Sequence, residues 1–155
     1  MKKEKLINAF MEFVGEKFPE LIEEEKEKTG FSDGDQFYCI SFDGKVNDDY
    51  WSDHQVDRER LSIGNAFKTE REAKFAVEKL KVLYELESLG RPFDRGFRNY
   101  YLAFDYYNKE IFIDFRSNLN SCFSNCFFNS EEEAQQAVDK IGEDRIKKYL
   151  FGVED

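Results

Sequence analysis

A duplication within the chain is the feature that most constrains its fold. Residues 67–80 match residues 128–141 at an offset of 61, and seven of the fourteen positions are identical. Residues 38–43 match residues 100–105 at an offset of 62. Unrelated segments of that length would share about one residue at ordinary amino-acid frequencies. The spacing exceeds the roughly 20–50 residues of solenoid repeats, which indicates two tandem units rather than an array.

The first unit begins with a predicted β-hairpin. Residues 36–42 are rich in β-forming side chains. The Asp43-Gly44 pair that follows is typical of a type I′ turn, so we expect a short second strand around residues 45–46. Residues 47–59 are polar and acidic, and they predict a loop.

The predicted helix of the first unit follows a capping box. Thr69 caps the start of the helix, and Glu72 reaches back to the backbone. We expect the helix to continue to Leu89, with Gly90 as its C′ residue and Pro92 preventing continuation.

The second unit repeats this order. We predict a strand over residues 99–107, a turn at residues 108–109, and two further strands over residues 110–115 and 122–128. A second capping box begins at Ser130, and the last helix is expected from Glu131 to about Phe151, with Gly142 inside it. One such unit leaves an apolar face uncovered. The two units are therefore expected to pack together, either by extending one antiparallel sheet or by facing their helices.

The region before the duplication predicts an amphipathic helix, because apolar residues recur at helical spacing across residues 3–28. The complete prediction is a single α+β domain over residues 1–155. In it, an N-terminal helix (1–30) precedes two tandem β-β-(β)-α repeats (36–90 and 97–151) with antiparallel sheet.

Composition excludes several classes of protein. A net charge of −10 disfavours direct binding to nucleic acid, because that binding relies on Lys and Arg against the phosphates. No apolar run reaches the roughly 18 residues that span a bilayer. The N-terminal residues contain Lys and Glu without the apolar stretch of a secretory signal, and three Cys in such a chain favour reduced thiols in a cytosol. We therefore expect a cytoplasmic protein, with no direct contact to nucleic acid or membrane.

Nearly all of the net charge lies in one quarter of the chain. Residues 20–59 contain thirteen acids and four bases, a net charge of −9. A row of carboxylates can imitate the phosphates of DNA toward a protein with a basic groove, whereas the alternative is an ordinary solvated surface. The residues predicted to bind the partner are Glu23, Glu24, Asp33, Asp35, Asp48, Asp49, Tyr50, Trp51, Asp53, Asp57 and Glu59.

Aromatic residues contribute to the same prediction. Tyr50 and Trp51 are of the types that most often anchor interfaces. Trp51 also has a second interpretation, in which it covers the core from a loop. Seventeen Phe and eight Tyr are more than a core of this size needs, and they favour a C₂ homodimer formed through exposed rings.

No recognisable catalytic or metal-binding constellation occurs in the sequence. His54, the single histidine, lies near Asp53 and Asp57, but no Ser or Cys stands in the setting of a nucleophile. Cys122 and Cys126 form one pair without the second pair of a zinc site, so buried thiols are the better interpretation. We expect a non-enzymatic protein without a metal or a cofactor.

The helix junction of the first unit carries a resemblance. Residues 64–73 and 76–81, with Trp51 and the closing residues 142–148, resemble those of a family of small acidic proteins from bacteriophages and prophages of Gram-positive bacteria. The resemblance covers most of residues 36–151. It rests on a capped helix start, which identifies kinship and supplies no mechanism. Proteins of this kind often counter host defences, including as anti-CRISPR inhibitors, and the resemblance implies such a role.

These observations lead to one main hypothesis and two alternatives. The main hypothesis is a phage or prophage inhibitor that binds a basic host protein through the acidic surface. The host protein would be a nucleic-acid-handling defence effector such as a CRISPR nuclease. The first alternative is a protein that binds a nucleotide-like molecule, for which Arg91, Arg95 and Arg98 are the clustered cations. The second is a structural or regulatory phage protein that self-associates.

Overall fold

The computed structural model describes residues 30–117 and 126–153, together with residues 10, 12, 13, 16 and 17, which are helical. By its internal contacts the chain divides into two compact units, residues 1–73 and 74–155. From here on, the first and second unit mean these two ranges, and most of the helix of the first predicted repeat belongs to the second unit. The fold class is α+β, with four helices between residues 55 and 150 and two small antiparallel sheets. The rest of the predicted N-terminal helix lies outside the described residues. None of the described helices is long and apolar enough to cross a membrane.

A β-hairpin lies at the start of the continuously described part of the first unit. Strand β1 (Gln36–Ile40) pairs antiparallel with strand β2 (Val46–Tyr50), with Phe37 opposite Asp49. Phe37 and Cys39 are buried on one face of β1, because successive side chains of a strand point to opposite faces. The strand predicted over residues 36–42 is present and begins at Gln36 as predicted, but it ends at Ile40.

The hairpin turn differs from the predicted type I′ turn. The Ser41 N–H donates to the Lys45 carbonyl at 2.8 Å, and the Gly44 N–H donates to the Ser41 carbonyl at 2.9 Å. Gly44 has a positive φ of 78°, whereas Asp43 does not have a positive φ. The Asp43 carboxylate instead accepts from the Ser41 hydroxyl at 2.5 Å. That local bond favours a wider loop with a glycine bulge.

Part of the segment predicted as an acidic loop is regular structure. Residues 46–50 form β2, and helix α1 spans Gln55–Ser62. The stretch has too few apolar residues to show a periodicity. The helix start is held instead by Asp57, whose buried carboxylate accepts from the Ser52 N–H at 3.1 Å and from the Ser52 hydroxyl at 2.9 Å. This polar contact has no signature in a hydrophobicity pattern.

The core of the first unit is aromatic, and Phe31, Phe37, Cys39 and Trp51 are buried together in it. The rings of Phe31 and Trp51 stack with their centroids 5.0 Å apart, and Phe37 meets Trp51 edge-on at 5.8 Å. Trp51 is only 2% exposed. Its ring therefore supplies much of the apolar area that this unit removes from water.

The outer edge of β1 is closed by the chain that leads to the next helix. The Tyr38 N–H donates to the Phe67 carbonyl at 2.8 Å, and the Phe67 N–H donates to the Tyr38 carbonyl at 2.9 Å. The Asn65 side chain accepts from the Ile40 N–H at 2.6 Å and donates to the Ile40 carbonyl at 2.8 Å. Since its backbone groups are paired, this edge does not accept a further strand.

Helix α2 (Glu70–Leu89) begins and ends where the sequence predicts. The Glu72 N–H donates to the Thr69 hydroxyl at 3.2 Å, and the Thr69 N–H donates to the Glu72 carboxylate at 2.9 Å. These reciprocal bonds confirm the capping box.

Gly90 follows α2 for a different reason from the predicted one. A C′ glycine usually takes a positive φ, and Gly90 does not. A Cβ at this position would lie 2.2 Å from the Cys126 sulfur and 3.0 Å from the Phe127 carbonyl oxygen. Glycine is therefore required by the close approach of the segment around Cys126.

A longer hairpin follows in the second unit. Strand β3 (Asn99–Asp105) pairs antiparallel with strand β4 (Glu110–Arg116), with Leu102 opposite Ile113. The Phe128 carbonyl accepts from the Tyr100 N–H at 3.1 Å, and the Phe128 N–H donates back at 2.8 Å, so the outer edge of β3 is closed as that of β1 is. The described strands form two two-stranded sheets, one of β1 and β2 and the other of β3 and β4.

The last predicted helix is in fact two helices, α3 (Glu131–Ile141) and α4 (Glu143–Leu150). Gly142 between them has φ 98° and ψ 124°, a conformation that no continuous helix contains. The Ser130 hydroxyl accepts from the Glu133 N–H at 3.2 Å, as predicted. The reciprocal bond is displaced by one residue, because the Glu133 carboxylate accepts from the Asn129 N–H at 3.0 Å.

The core of the second unit is mostly aliphatic. Its buried members are Val82, Leu86, Phe128, Ala134, Ala137, Val138, Ile141 and Ile146. Tyr100, Leu102, Ile111 and Ile113 of the hairpin pack against this cluster. Of the strand predicted over residues 122–128, residues 122–125 lie outside the described residues, and Phe127 and Phe128 form isolated bridges rather than a strand.

Candidate functional site

Strand β2 has an open outer edge. Tyr38 turns its backbone groups away from β2, so the opposite residue, Asp48, turns its own backbone groups away from β1. By alternation the same holds for Val46 and Tyr50. Within the part of the chain that the structure describes, the N–H and C=O groups of Val46 and Asp48 have no hydrogen-bond partner. The Tyr50 N–H is held by the neighbouring Asp49 carboxylate at 2.9 Å.

Two predicted partner-binding residues, Asp48 and Tyr50, lie together at this edge. Asp48 is exposed and accepts from the Gln36 side-chain amide at 3.2 Å. The Tyr50 side chain is 63% exposed. Around them, residues 30–73 carry ten acids and five bases, a net charge of −5. The edge thus combines unpaired backbone groups with an excess of negative charge.

Asp49 and Asp57 have structural partners. An Arg60 guanidinium nitrogen lies 2.8 Å from the Asp49 carboxylate and 3.8 Å from that of Asp57, and the guanidinium lies 5.8 Å from the centre of the Phe37 ring. The hydrogen bond from Arg60, with a second from the Tyr50 N–H, holds the pKa of Asp49 below its usual range. These two carboxylates connect α1 to the hairpin, and Asp57 is buried, so it offers no charge to a partner.

The other described carboxylates among the predicted partner-binding residues are not buried, and most of them accept hydrogen bonds from residues nearby in the sequence. Asp53 pairs with Arg58 through two hydrogen bonds, one of them 2.8 Å long, and this contact lowers the pKa of Asp53. Asp35 accepts from the Ser32 N–H at 2.7 Å, and Glu59 accepts from the Gln55 side chain at 2.8 Å. Asp33 is exposed, while Glu23 and Glu24 lie outside the described residues.

Trp51 does not anchor a partner in this arrangement. Its ring lies in the aromatic core, so the interpretation as a core residue is correct and its place among the predicted surface residues is not. Tyr50 is the exposed aromatic residue of the pair. The alternation of a strand places neighbouring side chains on opposite faces, which is why only one of the two reaches solvent.

The residues weighed for catalysis do not converge. His54 is exposed just before α1, and its carbonyl accepts from the Asp57 N–H at 3.0 Å. Cys39 is buried, and burial raises the pKa of the Cys126 thiol to about 11, so that it stays protonated and unreactive at neutral pH. Cys122 lies outside the described residues. In the described ranges, no three His, Cys, Asp or Glu side chains gather where a metal ion could bind.

Two of the three arginines considered for a nucleotide-like ligand, Arg91 and Arg98, have partners within the second unit, while Arg95 is exposed. Arg91 donates to the Asn129 side chain at 2.6 Å and to the Asn99 side chain at 2.7 Å. The Arg98 guanidinium lies over the Phe115 ring, 4.9 Å from its centre. A shallow depression in this unit is lined by Leu89, Glu133, Gln136, Ala137 and Lys140. With one acid and one base, it has no excess of cations for a phosphate.

Strand β4 has a second open edge, which the sequence analysis missed. Tyr100 turns its backbone groups toward the segment after β4, so Phe115 opposite it faces outward, as do Ile111 and Ile113. In the described residues the backbone groups of Ile111 and Ile113 have no hydrogen-bond partner. The Phe115 N–H is held by the Asp114 carboxylate at 2.8 Å, as Tyr50 is held by Asp49. The sequence signal that could have indicated this edge is a strand with an acid at its start, Glu110, and a base at its end, Arg116.

Comparison with known proteins adds no relative. No protein-family model, curated protein or solved structure matches the chain.

Proposed function

We propose that this chain is a non-enzymatic binding protein that contacts a basic partner through the acidic edge of β2. The observation that carries the proposal is the open edge itself. Within the described residues, the backbone groups of Val46 and Asp48 are unpaired, and the Asp48 carboxylate and the Tyr50 ring beside them are exposed. An extended segment of the partner would add to the sheet as a further strand, a recurrent mode of peptide recognition.

The charges of the first unit select the chemistry of that segment. Cross-strand neighbours of opposite charge stabilise a sheet, and like charges destabilise it. A Lys or Arg of the partner opposite Asp48 would be favoured, and an acidic residue would be rejected. Tyr50, more than half exposed, would cover the apolar stem of a neighbouring lysine or arginine. The net charge of −5 over residues 30–73 would also speed the encounter with a basic surface at low salt.

The identity of the partner rests on the resemblance to phage and prophage proteins. We propose a host protein that handles nucleic acid in defence, such as a CRISPR nuclease, which the chain would meet in the host cytosol and inhibit. The internal match of the two hairpins and capped helices supports a tandem β-β-(β)-α repeat. In that arrangement one copy carries the acidic edge and the other differs in charge.

A synthetic peptide that alternates Lys and Val provides a defined probe, with a Glu–Val peptide of equal length for comparison. Amide NMR signals of Val46 and Asp48 should shift with the basic peptide and not with the acidic one. Asp48→Lys should weaken binding at least tenfold, and Val46→Pro should weaken it by removing an outward N–H. Glu87→Lys, on an exposed position of α2, makes the same change of charge and should leave binding unaltered.

The dependence of peptide binding on salt and the Glu87→Lys control together distinguish binding at the β2 edge from an effect of net charge alone. Binding should weaken as salt rises from 0.05 to 0.5 M, because the screening length falls below about 10 Å over that range. If Glu87→Lys reduces binding as much as Asp48→Lys, only net charge matters and the edge is not the site. Reversing the charge of Asp57 would not test the edge, because its buried carboxylate holds the start of α1.

A further inference from the structure

The open edge of β4 is complementary to itself. We propose that two copies of the chain pair antiparallel along β4, so that their two hairpins form one continuous four-stranded sheet. The proposal rests on the unpaired backbone groups of Ile111 and Ile113 and on the order of charges along the strand. It involves a different edge from the one proposed to bind a basic partner.

A two-fold axis at Ile113 gives the register. Glu110 of one copy then lies opposite Arg116 of the other, and the second copy supplies the same pair at the opposite end of the strand. Ile111 lies opposite Phe115, and Ile113 lies opposite Ile113. Because Ile111, Ile113 and Phe115 all turn their backbone groups outward, this register pairs outward groups with outward groups, as an antiparallel ladder requires.

Neighbouring registers place like charges together. A shift of the paired strands by two residues in one direction puts Glu110 opposite Asp114, and a shift in the other direction puts Asp114 opposite Asp114. A parallel in-register pair would set each charge beside its own kind. Opposed like charges destabilise strand pairing, so the charge order of β4 selects a single arrangement.

Some of the side chains that the second copy would contact are exposed in the single chain. Phe112 and Phe115 are each 47% exposed, and Glu110 and Arg116 are exposed at the two ends. Arg116 donates from Nε to the Tyr101 hydroxyl at 3.1 Å, and its guanidinium lies over the Tyr101 ring, 5.5 Å from the ring centre. The Phe115 N–H, held by Asp114 within one chain, would exchange that carboxylate for the carbonyl of the second copy's Ile111.

The edge of β2 cannot pair with itself in this way. An antiparallel pair of β2 strands in the corresponding register would place Asp48 opposite Asp48, in a unit that already carries excess negative charge. Acidic residues on an exposed edge prevent edge-to-edge association. The second copy is therefore assigned to β4 and not to β2.

Light scattering at micromolar concentration tests the proposal, and the expected mass is twice the 18.4 kDa of one chain. Glu110→Arg would place Arg opposite Arg, and Arg116→Glu would place Glu opposite Glu, so each variant alone should dimerise at least tenfold more weakly. Mixing the two variants should restore a dimer, since each charge then meets its opposite. The double variant should also self-associate. Asp48→Arg serves as the control and should leave the dimer intact.

The outcomes separate the two proposals. A mass near 18.4 kDa for the unaltered chain overturns the dimer. A dimer that survives Glu110→Arg, or variants that fail to associate when mixed although circular dichroism shows them folded, would assign association to another surface. If Asp48→Arg loses peptide binding and remains a dimer, the β4 pairing is supported and peptide binding is assigned to β2.

Discussion

The two hairpin units share one local design and differ in what surrounds it. In each unit, a tyrosine of the first strand exchanges two backbone hydrogen bonds with a phenylalanine placed just before a capped helix: Tyr38 with Phe67, and Tyr100 with Phe128. A hydroxyl two residues after each phenylalanine accepts from the helix backbone, Thr69 in one and Ser130 in the other. The same contacts therefore recur at positions that match in the sequence.

The two units differ in their cores and in their net charge. Phe37 and Asn99 occupy equivalent positions, and both are fully buried, one in an aromatic cluster and the other in a polar one. The described residues of the first unit from residue 30 onward carry a net charge of −5. Those of the second carry thirteen acids and twelve bases, a net charge of −1. The contacts that recur belong to the junctions between hairpin and helix, and the differences lie in the cores and in the net charge.

Truncation of one core residue in each unit should have the largest effect. Trp51→Ala should lower the free energy of unfolding by about 3–5 kcal/mol, and Ile146→Ala, in the second core, by about 2–5 kcal/mol. Urea denaturation followed by circular dichroism measures both. A cost below about 1 kcal/mol for Trp51→Ala would show that the ring is not in the core, since truncation of a buried Trp costs several times that value.

An exchange of the equivalent buried residues should have the next largest effect. Asn99 accepts from the Asp94 N–H at 2.8 Å and donates to the carbonyls of Asp94 and Phe97 at 2.8 and 2.9 Å. Asn99→Phe would leave those groups unpaired, and Phe37→Asn would bury an amide among aromatic rings. Each should lower the free energy of unfolding by at least about 2 kcal/mol. Gln36→Asn, at an exposed position, is the control and should change it by less than about 0.5 kcal/mol.

Removal of the helix caps compares the two junctions directly. Thr69→Ala and Ser130→Ala should each lower the free energy of unfolding by about 1 kcal/mol, because each leaves a helix N–H without its partner. Costs that differ by more than about 1 kcal/mol would exceed the usual spread for such caps and would argue against equivalent junctions.

Removal of the Arg60–Asp49 contact should have the smallest effect on stability, and that effect should depend on pH. Since the pKa of Asp49 is below its usual range, the Arg60 contact stabilises the fold fully above the ordinary carboxyl pKa. That contribution is lost as pH falls through the lowered value. Arg60→Gln should therefore reduce the loss of stability between pH 5 and pH 2, by less than about 1 kcal/mol because the pair is partly exposed. An unchanged pH profile in Arg60→Gln would show that this pair does not contribute.

Some local features were predicted from the sequence, whereas the type of the first hairpin turn and helix α1 were not. The hairpin at residue 36, the capping box at Thr69 and the full span of α2 all follow from residues within a few positions of one another. Such signals survive because backbone geometry, turn formation and capping depend on neighbours in the chain. Gly142 illustrates the limit: the sequence shows a glycine inside one predicted helix, and only the structure shows that the helix is interrupted there.

What the sequence determined by itself is the set of local elements, their duplication and the uneven charge. Tertiary structure decided which aromatic side chain is buried, since Trp51 packs on Phe31 twenty positions earlier. It also decided why Gly90 is a glycine, through contact with Cys126, and which strand edges stay open, through the closing of β1 and β3. Burial and edge pairing depend on residues distant in the chain, and their free energy arises only when those residues meet.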